Sequence, residues 1–330
     1  MARDRSLVLG TLAVVVAASL FGMLGPLSRL ADERAGVGTV AFVTWRSLLG
    51  SAVVGLLIAI RVGRGRRLVG PAALSARARV TLLVAALTGI VLNLAIFVAF
   101  GRISIALALL GFYTYPALVT GAVIVLERRR PDRFELAALV MALTGMAIVV
   151  LGGIEPGAGL AFDPLGLGLA LVAALAQAVF VLISRHGFAE IPTDEASFAV
   201  LFGGFIGFLA VGAGTGNLAA IGAPLGDPAT WPYLIVGGVL GAGIPTTLFM
   251  LGIRSIGGVR TGILALIEPV VGAGLAALLL GQTVRPVQLL GGALVLAAAV
   301  VLQLARPTGP SRGTTADRVG APSSEPTPLI

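Results

Sequence analysis

The stretch from Ala106 to Leu151 constrains the chain most, because the chain contains it twice. It reads ALALLGFYTYPALVTGAVIVLERRRPDRFELAALVMALTGMAIVVL, and Gly262 to Leu302 reads GILALIEPVVGAGLAALLLGQTVRPVQLLGGALVLAAAVVL. Each copy is an apolar run with a central proline (Pro116, Pro269), a polar turn ending in Arg130-Pro131 or Arg285-Pro286, and a second apolar run. Aligning the Arg-Pro pairs sets Glu127 opposite Gln282. Upstream, Gly89, Asn93 and Phe97 share the spacing of Gly241, Pro245 and Phe249, and Ser28-Arg29 echoes Ser184-Arg185. Self-similarity on this scale indicates duplicated architecture.

The runs are too apolar for water. Of 330 residues, 57% are hydrophobic and only 12% charged, half the charge density of soluble domains, so lipid is the expected solvent. A ruler of about 20 apolar residues per crossing gives ten spans: 7–30, 40–60, 80–100, 103–126, 134–151, 165–184, 197–212, 233–251, 259–280 and 287–304. The seventh is short and glycine-broken by this reading, and the fourth follows the third almost without a loop. Arg3 and Arg5 before the first run resemble the head of a signal peptide. That run has a counterpart opening the second half, however, and is expected to stay as a span.

Charge predicts orientation. With the N-terminus inside, eighteen of the 23 basic residues, all arginine, fall in inner segments and four (Arg29, Arg34, Arg102, Arg285) in outer ones. The positive-inside rule then puts both termini in the cytoplasm. The net charge of +8 therefore reflects topology and not a nucleic-acid partner. Five spans per half insert the halves in opposite senses. The six-arginine loop of 61–79 corresponds to 214–230, which has no arginine, the trace of an inverted repeat typical of secondary transporters. The expected class is an all-α integral membrane protein with ten transmembrane helices in two inverted five-helix repeats. The units are residues 1–152, an external linker at 153–164, residues 165–305, and a Pro/Thr/Ser/Gly tail at 306–330 expected to be disordered. Glycine pairs at helix-contact spacing (Gly203/Gly207, Gly237/Gly241, Gly258/Gly262) are expected to hold the bundle together, or to serve a homodimer.

Two five-helix halves, Phe21-Gly22 in the first span, Arg46 in the second, a proline in the fourth and ninth, and Leu126-Glu127 closing the fourth together resemble the EamA-type members of the drug/metabolite transporter superfamily. The resemblance covers about residues 7–305. It implies ten helices, cytoplasmic termini in the plasma membrane, and a central cavity through which small metabolites or amino acids leave the cell. Gln282 departs from the Leu-Gly-Glu usual in the family's second half.

Polar groups inside a span are costly, so those present should line a cavity or pair. Glu268 precedes Pro269, which frees backbone carbonyls; it binds a substrate amine or a proton, or is a structural carboxylate paired with an arginine. Arg46 attracts an anionic group, neutralises Glu268, or snorkels to the interface. Asn93 and Pro245 occupy equivalent positions, and paired interruptions point to a midplane site; packing is the alternative for Asn93. Tyr113 and Tyr115 face a cavity or an interfacial belt, and two residues apart they cannot share one helix face. Gln177 lines the pore or bridges helices. Gly22, Gly25 and Pro26, with Pro116, Pro245 and Pro269, are expected hinges or packing bends. His186 is expected to stabilise a helix end.

One histidine and no cysteine leave too few ligands for a metal. No phosphate-cradling glycine loop with Lys-Ser/Thr supports ATP, so no cofactor is expected. The expected function is secondary-active movement of a small metabolite or amino acid-like solute, in the export direction and with protons as a candidate coupling ion. A passive facilitator of the same fold and a membrane-embedded enzyme on lipid-borne substrates are the alternatives.

Overall fold

The computed structural model describes residues 2–70, 73–154, 163–188 and 190–304. Most of the linker and all of the tail expected from the sequence lie outside that range, as does the side chain of His186. Among the described residues, ten helical segments are long and apolar enough to cross a membrane: Ser6–Ala35, Thr39–Gly63, Ala76–Phe100, Ile105–Leu126, Arg133–Gly152, Pro164–Arg185, Thr193–Gly214, Pro228–Ile256, Gly258–Leu280 and Pro286–Gln303. They are called the first to tenth spans below. Lipid offers no partner for backbone N–H and C=O groups, so apolar runs of this length must satisfy them internally as helices.

The apolar ruler misplaces ends where charge enters a helix. The first span continues through LADERA to a left-handed Gly36 at φ 62°. The third starts at Ala76, capped by the Ser75 hydroxyl, which accepts from the Ala78 N–H at 3.1 Å. The seventh is neither short nor broken. It is one helix over Thr193–Gly214, because Asp194 and Glu195 in its first turn are neutralised by arginines and its glycines face neighbours. A Cβ at Gly203 would lie 2.9 Å from that of Ala86 in the third span.

The packing repeats the duplication. The fifth span packs on the tenth and the second on the seventh, each element against its own counterpart. The first span packs on the eighth as the third packs on the sixth, and the first on the ninth as the sixth on the fourth. Such a list maps onto itself when the halves are exchanged, as a two-fold axis between inverted five-helix repeats requires. The tightest seam joins the fifth and tenth spans. A Cβ at Gly145 would sit 2.7 Å from the carbonyl oxygen of Gly291, so the two backbones touch directly. The glycine pairs singled out above likewise face residues of this same chain: Gly237 faces Phe42, Gly241 faces Leu24, Gly258 faces Val181 and Gly262 faces Pro116.

Four spans are discontinuous. The first breaks at Met23, between Ala2–Gly22 and Leu24–Ala35. The fourth breaks at Tyr113-Thr114, between Ile105–Phe112 and Tyr115–Leu126. The ninth breaks at Leu266-Ile267, between Gly258–Ala265 and Glu268–Leu280. In the eighth, a π-helical turn at Val239–Gly243 precedes Ile244–Ile256. Pro116, Pro245 and Pro269 each fall at the second residue of the restarting helix, where a missing N–H is harmless.

Candidate functional site

The breaks in the fourth and ninth spans occupy matching repeat positions, and the polar groups of the bundle interior gather there. Arg46 reaches across from the second span to the third, donating from Nη2 to Asn93 Oδ1 at 3.2 Å. The Asn93 amide nitrogen donates in turn to the Gly89 carbonyl at 2.8 Å. That bond fixes the Asn93 amide with its oxygen toward the guanidinium. Arg46 Nε is buried and unpaired.

On the other side of the same space, Glu268 opens the second half of the ninth span, where the N-terminal end of a helix favours a carboxylate. Tyr113, Tyr115 and Arg46 all lie close enough to that carboxylate to feel its charge. Among the described residues no ion pair within 4.0 Å joins Arg46 to Glu268. Arg46 and Glu268 therefore stay unjoined, with the guanidinium bonded to neutral Asn93 and the Tyr113 ring close to the carboxylate.

Both tyrosines are buried, at 3% and 2% exposure. The expectation that they could not share a face fails because the helix stops between them. Tyr113 ends the first half-helix and Tyr115 begins the next, so both rings turn inward and pack on Phe112, with centroids at 5.1 and 5.5 Å. Gly22 accounts for how closely the first span approaches: a Cβ there would meet the Glu268 carbonyl oxygen and the Gly272 nitrogen. Phe21 beside it makes an edge contact with Phe249 at 6.0 Å, an aromatic wall the sequence reading did not assign to the site. Gly25 is exposed with open space around it, Pro26 is buried in the second segment of the same span, and half-buried Gln177 shares no hydrogen bond with the group among the described residues.

At the arginine-rich end, sequence reading took the charges as topology signals and missed their partners. Asp194 binds Arg61 at 2.8 Å and also Arg66, and Arg66 reaches Glu195 at 2.8 Å. Glu135, 1% exposed, accepts from Arg129 at 2.6 Å and Arg260 at 3.5 Å. Arg185 meets Glu127 at 3.2 Å. Arg254 donates to the Phe188 and Ile191 carbonyls at 2.6 and 2.7 Å. The Asp132–Glu135 capping box was the one signal in the sequence that placed a carboxylate at this helix start. Five of these contacts (Arg61–Asp194, Arg66–Asp194, Arg66–Glu195, Arg185–Glu127, Arg260–Glu135) join one half to the other. At the opposite end, a polar cavity of about 450 Å³ is lined by residues including Arg29, Glu33, Gln282, Arg285 and Gln288.

A family model, the EamA-like transporter family, matches residues 8–151 and again 164–304. The chain belongs to the EamA-like transporter family. The double match falls on the two halves whose packing is related by the two-fold axis. An uncharacterized transporter of Archaeoglobus fulgidus is 27% identical over 197 residues, 60% of this chain and 66% of that protein, just under two thirds of its length. A crystal structure with 21% identity superposes with a TM-score of 0.66 over 91% of this chain and 98% of its own, which supports the fold. As a member of the EamA-like transporter family, the chain is an integral membrane protein whose environment is the lipid bilayer.

Proposed function

We propose that this EamA-like protein is a secondary transporter of the plasma membrane, with both termini in the cytoplasm, that exports a small metabolite or amino acid-like solute by alternating access. The observation that carries the reading is the pair of opposed, unjoined charges, Arg46 and Glu268, at the broken fourth and ninth spans. Arg46 offers its free Nε and adjoining N–H to a substrate carboxylate, a planar fork suited to two parallel bonds. Glu268 receives the substrate amine, or a proton that exchanges for it. Asn93, Tyr113 and Tyr115 orient the two charged groups, and Phe21 and Phe249 contact the apolar part of the solute. With the arginine-rich end bonded shut and a polar cavity at the other, this conformation corresponds to an outward-facing state. The transporter acts as a monomer, since its small-residue seams are used within one chain.

Proteoliposomes carrying the full chain test the reading. Labelled metabolites should show counterflow, and a pH gradient should drive accumulation. Glu268→Gln should abolish the gradient effect; a variant that keeps full pH coupling removes Glu268 from the mechanism. Flux without counterflow would instead favour a passive facilitator.

A further inference from the structure

Arg185 and Glu127, which close the arginine-rich end between the sixth and fourth spans, have repeat counterparts at the other end. Ser184-Arg185 corresponds to Ser28-Arg29, and Glu127 to Gln282. Arg29 and Gln282 both line the polar cavity of about 450 Å³; Arg29 lies in the first span and Gln282 two residues past the end of the ninth, the image of the sixth and fourth. Where Arg185 bonds across the halves at 3.2 Å, Arg29 bonds within its own helix, to Glu33 at 2.7 Å, with 60% of its side chain exposed. An exposed pair one helical turn apart holds its partners weakly, so Arg29 is free to exchange it for a bond across the cavity.

We propose that Arg185–Glu127 and Arg29–Gln282 are the two gates of one alternating device: when the inner pair parts, Arg29 leaves Glu33 and bridges to the Gln282 side-chain carbonyl. The gates differ in strength. The inner one joins two full charges, and it is reinforced by Asp194, Glu195 and Glu135. The second and seventh spans both open on threonine (Thr39, Thr193), yet Asp194 and Glu195 are matched by Val40 and Ala41; the Arg-Pro alignment sets Leu290 opposite Glu135. The outer gate joins a charge to an amide, a weaker bond. The chain therefore rests with its inner gate shut, and Gln282 sets how far.

This inference takes alternating access and the orientation from the function proposed above. The natural sequence has no cysteine, so Val123→Cys, a fully buried position one turn above Glu127, reports inner opening when labelled by an impermeant maleimide in inside-out vesicles. Gln282→Glu makes the outer pair ionic and should raise the labelling rate roughly fivefold. Adding Arg29→Gln should return it to the starting value. Thr283→Glu, the same charge one residue away, should leave it unchanged. An unchanged rate in Gln282→Glu, a failure of Arg29→Gln to reverse it, or an equal rise in Thr283→Glu overturns the proposal. Arg29→Glu combined with Gln282→Arg restores the pair with charges exchanged, and must label like Gln282→Glu if each variant is folded by its elution profile. Labelling of Val123→Cys only from the opposite face would reverse the orientation while leaving the Arg29 dependence as the test of the gate.

Discussion

Arg46 is the residue whose surroundings depart furthest from ordinary packing. A guanidinium inside a span is costly unless its donors are used, and here one is taken by Asn93 while buried Nε is left over. Lysine would keep the charge and lose the fork. Arg46→Lys is expected to weaken binding of carboxylate-bearing solutes by about tenfold or more, with little change in thermal stability, measured by scintillation proximity on purified protein. A residue outside the membrane gives the pH prediction. Arg102 donates to Asp163 at 2.9 Å, and this bond, with the Leu165 N–H, holds the Asp163 carboxyl below its usual 3.8. Its folded-state affinity for protons is depressed, so its stabilisation is present above the unfolded pKa and lost as pH falls through the folded one. Acidification below about pH 4 should therefore lower the melting temperature, and Asp163→Asn should remove that part of the acid sensitivity.

At the scale of elements, the broken fourth span explains what the sequence could and could not convey. Pro116 and Pro269 marked both interruptions, because proline removes a donor wherever it stands. The stop between Tyr113 and Tyr115 was not legible: it depends on where the second half-helix restarts, and that is fixed by tertiary packing. The charges at the arginine-rich end were misread for a related reason. A composition ruler assigns Asp194 and Glu195 to a loop and gives Glu135 no partner, whereas each sits in a helix start against an arginine from the other half or the adjoining turn. Glu135→Ala would leave Arg129 and Arg260 facing each other without a carboxylate between them. Removing one member of so buried a cluster is expected to cost about 3 kcal/mol, read as a drop in melting temperature and loss of monodispersity in detergent. Glu135→Gln should recover part of it, through its remaining carbonyl acceptor.

At the scale of the whole molecule, the duplication was legible and carried most of the fold with it. Span number, the two halves and their opposite senses follow from residues alone, since lipid permits few answers to a chain so apolar. Which spans touch did not follow, because Gly145 and Gly291 look in the sequence like any other of 46 glycines. Their meeting has a mechanical result. With backbone against backbone, the fifth and tenth helices have no intervening layer that can shear, so they turn together as a single rod. In the alternating access proposed above, tilting would pivot about that axle, and one surplus methyl group on it would jam the machine in whichever pose it happened to occupy.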